Sequence, residues 1–349
     1  MTTTSSTRRF DPAKAGGLGP WLATAVGSSR VEIKSASRLA GGAVQDNWRL
    51  DVEVADGAKA GVQTWVLRTD AAARLSLSLD RAAEYDVIGV AHSHGVPVAE
   101  PIARCDDASI IGAAFFVQGW LTGSAQARRI TRDPALAETG PRIAEALGRV
   151  LAGIHAVVPA HATLPGLPPV PAEPAKAEVA RLRKSLDGAG EPRPALEYIL
   201  AWLNEHAPPA ADIVLVHGDY RTGNYMVDSG RLSGILDWEF AHWGDRHEDI
   251  GWLSARCWRF GNDDREAGGI ASLDGFLAGY EAGAPGKVDR SLIAYWQIMA
   301  AAKWAAIAVL QGDRYRRGGE QRLELALTGL MAPEMEYDAL SQILGMRGR

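Results

Sequence analysis

The sequence predicts an α+β protein in two parts, a sheet-rich front and a helix-rich back. Three observations carry this. From Ser35 to Gly119 the apolar residues recur mainly at strand spacing. After Gly119 the spacing becomes helical and the loops rich in proline. With 349 residues, 47% of them hydrophobic, the chain can also bury more than one compact core.

Residues 1–27 read as a loose leader with Gly16, Gly17, Gly19 and Pro20, followed by a short helix; residues 28–118 as the front lobe; residues 119–349 as the back lobe. In the front, Trp48, Leu50, Val52 and Val54 alternate with Arg49, Asp51, Glu53 and Ala55, the pattern of a half-buried strand. Asp56-Gly57 offers a turn, and Val62 to Arg68 is the next strand. Ser76 to His92 reads as a helix with Leu79, Ala82, Ala83, Val87 and Val90 on one face. The continuous apolar run Ile110 to Val117 fits a central strand. In the back, Pro141 to Val157, Ala175 to Ser185 and Pro194 to His206 have helical periodicity. Pro159 to Pro174 is a surface connection, Ile213 to Val216 a short buried strand, and the chain from His242 onward mostly helical.

Composition narrows the function. The formal net charge of -5 does not suit a nucleic-acid wrapper. The two cysteines, Cys105 and Cys257, stand far apart with no metal-ligand spacing, which points to a reducing cytoplasm. Met1 to Phe10 lacks the apolar core of a signal peptide. The most apolar stretch, Ile293 to Leu310, is interrupted by Gln297 and Lys303 and is short for a membrane span, so it reads as a buried helix that contains Trp296 and Met299. No membrane or nucleic-acid partner is expected, and the sequence assigns no oligomeric state.

The chemistry concentrates between Val214 and Trp252. His217-Gly218-Asp219 follows an apolar strand, and Asn224 comes five residues after Asp219. In a kinase catalytic loop the aspartate accepts a hydroxyl proton, and an asparagine at this spacing holds magnesium. Asn224 to Asp228 and Leu232 to Leu236 read as two strands around Ser229-Gly230-Arg231. A hairpin centred between Gly230 and Arg231 sets Asn224 opposite Asp237. An amide oxygen and a carboxylate are hard donors that suit Mg²⁺. Asp237-Trp238-Glu239 stands where a kinase has its Asp-Phe-Gly metal loop, with the glycine missing.

With His-Gly-Asp, an asparagine at plus five, Asp-Trp-Glu and a later Gly-Asp, the segment resembles the aminoglycoside phosphotransferase and choline kinase group. Within that group it is similar to the kinase-like domains found alone in bacteria or fused to some acyl-CoA dehydrogenases. The strong match covers about a tenth of the chain, and weaker agreement runs from Ser35 onward. The resemblance implies a bilobal, protein-kinase-like fold, with ATP and Mg²⁺ as cofactors, Asp219 as catalytic base, and Asn224 and Asp237 as magnesium ligands. Asp245 and Asp249 fall where the group has structural aspartates. In the front lobe, Gly41-Gly42 takes the place of the phosphate-covering turn. Arg68 takes that of the phosphate-gripping lysine, with different geometry, and Glu84 is its expected partner. Phe116-Val117-Gln118-Gly119-Trp120 is the expected hinge beside adenine, which makes Gln118 and Trp120 nucleotide-site candidates.

Each residue also has a plainer reading. Asp219 alone fits a turn or helix cap; its spacing to Asn224 and Asp237 favours chemistry. His217 reads as a hydrogen-bonded structural histidine. Arg68 with Glu84 fits a surface ion pair, and Gly41-Gly42 a plain hairpin turn. The expected function is transfer of the ATP γ-phosphoryl group to the hydroxyl of a small molecule. Candidate acceptors are an aminoglycoside, a choline-like alcohol, a sugar or a hydroxyacyl thioester, with the apolar rear helices favouring a partly apolar metabolite. One alternative is a nucleotide-binding pseudokinase with a regulatory role. A remoter one is a metal-dependent hydrolase built on His242, His247, Asp245 and Asp249.

Overall fold

A computed structural model describes residues 12, 15–39, 45–70, 78–190, 192–209, 212–284, 288–318, 320 and 322–347. The Gly41-Gly42 turn lies outside the described residues. Two compact units emerge, one within Met1–His92 and Ala99–Leu121, the other within Ser93–Val98 and Thr122–Arg349.

The first unit opens with helix α1 (Leu18–Val26). Strands β1 (Val31–Arg38), β2 (Gln45–Val54) and β3 (Gly61–Asp70), helix α2 (Arg81–Ser93), and strands β4 (Pro101–Cys105) and β5 (Phe115–Gly119) follow. The five strands form one antiparallel sheet in the order β1-β2-β3-β5-β4. The alternation read from Trp48 to Val54 is real: Leu50, Val52 and Val54 are buried in one core with Trp65, Leu67, Phe115 and Val117, and α1 adds Leu18 and Leu22.

Three expectations for this unit change. The apolar run from Ile110 is a strand only from Phe115. Before it the chain turns, with Gly112 at φ 94° and Ser109 N donating to Asp107 Oδ1 at 2.8 Å. Ile110 and Ile111 pack against the sheet core instead of joining the ladder. Helix α2 begins at Arg81, because the Asp80 carboxylate accepts from Ala83 N at 2.7 Å and caps it there. Its buried face is Ala83, Glu84, Val87, Ile88 and Ala91, so a glutamate sits where an apolar stripe was expected. Strand β4 was not foreseen: Pro101–Cys105 is short and contains Arg104.

The second unit contains α3 (Ala127–Thr131), α4 (Leu136–His155), α5 (Pro174–Leu186), α6 (Pro194–Glu205), β6 (Ile213–Val216), β7 (Tyr225–Asp228), β8 (Arg231–Ile235), β9 (His242–Asp245), α7 (His247–Ser254), α8 (Leu273–Gly283), α9 (Ile293–Arg316), α10 (Leu323–Gly329) and α11 (Ala332–Arg347). Helix α4 starts before the expected Pro141, which lies inside it. The chain after His242 is not purely helical: β9 pairs antiparallel with β6 and satisfies its backbone. Helices α4 and α8 pack backbone to backbone. A Cβ on Gly148 would meet Phe276 O at 2.0 Å, and one on Gly279 would meet Glu145 O at 2.0 Å.

Helix α9 is the spine of the larger core, contributing Tyr295, Trp296, Ile298, Met299, Ala302 and Ala305. It is long and apolar enough to cross a membrane by length and composition, so length does not exclude a span as the sequence implied. Burial is the better argument: 72% of its most apolar window is inside the protein.

Candidate active site

In the second unit the site grows from strand β6. Beyond Val216 the chain enters His217-Gly218-Asp219, and Asp249 on α7 clamps its backbone. Asp249 Oδ2 accepts from His217 N at 2.7 Å and Oδ1 from Gly218 N at 2.9 Å. His155, at the end of α4, donates Nε2–H to Asp249 at 3.2 Å while its Nδ1 accepts from Tyr280 Oη at 2.9 Å. Burial pushes the Asp249 carboxyl up, but the hydrogen bond from His155, together with the electrostatic influence of the neighbouring imidazoles, outweighs this and holds it below its usual value.

The Asp219 carboxylate is held from three sides. Oδ1 accepts from the Trp252 indole at 2.8 Å and from Arg221 Nε at 2.9 Å, and Oδ2 accepts from Asn224 Nδ2. Asn224 Nδ2 also donates to the Asp219 carbonyl at 3.0 Å. Both acceptors are oxygens, which fixes the amide orientation and leaves Oδ1 as the atom that can meet a metal. Asp219 is 9% exposed and Asn224 4%.

The hairpin forms, but its register differs from the expected one. Ser229 and Gly230 both have positive φ, 48° and 72°, so the turn holds two residues and not three. A bulge between Met226 and Val227 then shifts the ladder so that Tyr225 faces Ile235. Leu236 N donates to Asn224 O at 2.8 Å, so Leu236 and not Asp237 lies opposite Asn224. Asp237 is the next residue, where the chain takes a left-handed φ of 59°. Aspartate tolerates this region better than most residues, and such conformations cluster at functional sites.

His217 holds both neighbours of Asp237. Its Nε2–H donates to Leu236 O at 2.9 Å, and its ring packs on Trp238 with centroids 4.6 Å apart. Nδ1 accepts from Asp219 N at 3.2 Å. Burial holds this imidazole below its usual pKa, and one proton on Nε2 satisfies both contacts. His217 is thus a neutral brace between the Asp219 loop and the Asp237 loop.

In the first unit, Arg68 Nη2 donates to Glu84 Oε1 at 2.8 Å. The plainer reading of a surface pair does not hold, because Arg68 is 5% exposed and Glu84 fully buried. The sequence reading missed Arg81, which bonds the other oxygen of Glu84. Phe116 to Gly119 lie in β5, paired to β3 and β4 on either side, with Gln118 buried. Trp120 is the first residue beyond the ladder, 39% exposed, with the Arg49 guanidinium 5.1 Å from its ring.

The hydrolase constellation does not converge. His247 bonds Asp245 at 2.7 Å, His155 bonds Asp249, and His242 bonds Glu248 at 3.0 Å. Trp252, Arg221 and Lys303 escaped the motif reading. The legible signal for Lys303 was a charge inside an apolar helix, since lysine is almost never fully buried without a partner.

The family model "Phosphotransferase enzyme family" matches residues 35–285, and the chain belongs to this family. Acyl-CoA dehydrogenase family member 11 of Gallus gallus is 32% identical over 178 residues, which is 49% of this chain and 22% of that protein's length. Aminoglycoside 3'-phosphotransferase of Streptomyces fradiae is 27% identical over 226 residues, 64% of this chain and 79% of its own. The crystal structure of a Ralstonia eutropha JMP134 protein assigned as an aminoglycoside phosphotransferase superposes with a TM-score of 0.70 at 23% identity, covering 96% of this chain and 98% of the other. The fold is the kinase-like α+β fold, with a sheet-rich N-terminal part and a helical C-terminal part.

Proposed function

We propose that this chain is a small-molecule kinase that uses ATP and Mg²⁺ to phosphorylate a hydroxyl group. The observation that carries the reading is the Asp219 carboxylate, oriented by the amide of Asn224 five residues on. In this reading Asp219 accepts the proton of the acceptor hydroxyl as its oxygen bonds to the γ-phosphorus. The bond from the γ-phosphorus to the bridging oxygen breaks, and ADP leaves. Asn224 Oδ1 and the Asp237 carboxylate are hard oxygen donors and fit magnesium. A magnesium ion held there would neutralise charge on the phosphoryl group being transferred. In the first unit, Arg68 is the candidate phosphate contact, held by Glu84. Gly41-Gly42 is the candidate phosphate cover, and Gln118 and Trp120 are candidates for the adenine side.

The acceptor we favour is neutral or anionic and partly apolar, such as a hydroxyacyl thioester. Arg221 lies against Asp219 and over the Trp258 ring at 4.4 Å, and Trp258 packs on Trp304 at 4.9 Å. A polycationic aminoglycoside would meet the guanidinium beside the base. The acyl-CoA dehydrogenase relative agrees with this preference, while the Streptomyces fradiae relative keeps the aminoglycoside as the second acceptor class. The pseudokinase reading draws on Arg68 in place of the usual lysine.

The test is ADP formation and ³¹P detection of product over a panel of hydroxyl compounds and acyl-CoAs, with magnesium against EDTA. Asp219→Ala is expected to lower kcat by ~10²–10⁴. Near-normal turnover in that variant refutes the assignment, and nucleotide binding without transfer to any acceptor returns the pseudokinase reading.

A further inference from the structure

Behind the Asp219 loop lies a buried ionic cluster that the proposed chemistry does not use: Glu178 and Arg181 on α5, His242 on β9, Glu248 on α7 and Lys303 on α9. Ligand atoms of Glu178, His242 and Glu248 lie within 4.8 Å of one another, close enough to hold a cation. The Lys303 ammonium stands beside them, 3.2 Å from Glu248 Oε1 and 3.9 Å from Glu178 Oε1.

Charge balance alone does not call for this lysine. Arg181 already forms a two-pronged pair with Glu178, both bonds at 2.7 Å. His242 faces an acceptor at each ring nitrogen, Phe240 O at 2.9 Å and Glu248 Oε2 at 3.0 Å, so it carries two protons and offsets Glu248. Without Lys303 the cluster still has two cations and two carboxylates.

What Lys303 adds is directed at the Asp219 loop. Its Nζ donates to Gly218 O at 2.9 Å, the carbonyl of the peptide that leads into Asp219. Gly218 is pinned on its other sides too. Its N–H is on Asp249, its φ is 80°, and a Cβ there would meet Phe240 O at 2.3 Å. The same ammonium lies 4.9 Å from the Trp252 ring centre. The indole N–H of Trp252 is the one that holds Asp219 Oδ1. The negative face of an indole ring attracts a cation, most strongly where both are desolvated, so the ammonium helps to place the ring.

We propose that Lys303 is a positioning residue for Asp219, acting through the Gly218 carbonyl and the Trp252 indole. The inference rests on the kinase reading for its kinetic consequence, but not for its geometry. The test uses the full chain with Lys303→Met, which keeps the length of the side chain and the paired charges of the cluster. Should that variant fail to fold by circular dichroism, Lys303→Gln carries the same measurements.

Two readouts are needed. In steady state, kcat is expected to fall about 10-fold, with KM for ATP unchanged within about twofold, as when an interaction made in the transition state is lost. In ¹⁵N-tryptophan-labelled protein, the Trp252 indole resonance, assigned with Trp252→Phe, is expected to shift and its N–H to exchange about 10-fold faster, while that of Trp65 in the other unit stays in place. A folded variant whose Trp252 signal matches the wild type overturns the proposal. So does a loss of activity that lies wholly in KM. If the wild type transfers phosphate to no acceptor, the kinase reading has failed and the Trp252 signal still decides the role of Lys303.

Discussion

Asn224 and Asp219 are hydrogen-bonded side chain to side chain and side chain to main chain, through the single nitrogen Nδ2. The amide proposed as a metal ligand therefore also sets the rotamer of the proposed base. Loss of the amide would disturb two functions together, whereas Asp237 can be changed with less effect on Asp219. Asp237→Asn is accordingly expected to raise the magnesium concentration for half-maximal activity by about 10-fold or more, with a smaller change in kcat at saturating magnesium. A magnesium titration of phosphotransfer checks this, and an unchanged midpoint removes Asp237 from the metal site.

Trp252 donates a neutral hydrogen bond to Asp219 Oδ1, beside the charged bond from Arg221. Trp252→Phe keeps the ring against its neighbours and removes the donor. We expect kcat to fall by about 10-fold, since a hydrogen bond to a charged group contributes about 1.5–3 kcal/mol. Thermal melting alongside the kinetics should show a well-folded protein; equal kcat in the two proteins would leave the indole with only a packing role.

Glu84 sits fully buried between Arg68 and Arg81. Removing the negative partner leaves two guanidinium groups facing each other in the core. Glu84→Gln is expected to destabilise the sheet unit by about 3–5 kcal/mol in urea unfolding, the range for breaking a buried pair from one side. A loss below about 1 kcal/mol would show the carboxylate to be dispensable for folding.

The pair His242 and Glu248 gives stability a pH dependence. Burial opposes the charge on His242, but the neighbouring Glu248 carboxylate overrides it and raises the imidazole above its ordinary 6.5. A raised folded pKa means stabilisation fully present below 6.5 and lost as pH rises through the folded value. For Glu248, burial raises the pKa, but His242 and Lys303 outweigh it and hold the carboxyl well below its ordinary 4.5. Its contribution is present above 4.5 and lost as pH falls through the folded value. The Tm difference between wild type and His242→Gln should therefore be largest between these limits and shrink from pH 6.5 upward. A difference that stays constant from pH 6 to 9 would contradict the charged state of His242.

Much of this protein is legible in its sequence wherever the relevant distance along the chain is short. The alternation of Trp48 to Val54, the helical spacing of α4 to α6 and the five-residue step from Asp219 to Asn224 are local patterns. Backbone periodicity fixes which side chains share a face. The Arg68–Glu84 pair, by contrast, was expected only from the family resemblance, and the structure forms it. The hairpin shows the limit of such reasoning: the two-residue turn at Ser229-Gly230 moves the register two places from the expected one, and the extra residue Ser233 opposite Met226–Val227 restores only one, which sets Leu236 rather than Asp237 across from Asn224.

The sequence by itself determined the two kinds of secondary structure, the family, and the candidates Asp219, Asn224 and Asp237. Only the tertiary structure decided what surrounds them. Trp252 lies 33 residues from Asp219, Asp249 lies 31 from Gly218, and Lys303 lies 85 from Gly218. No periodicity spans such separations. They are set by which helix faces pack against β6 and its loop, and that choice is made by burial of the whole core and not by any one segment.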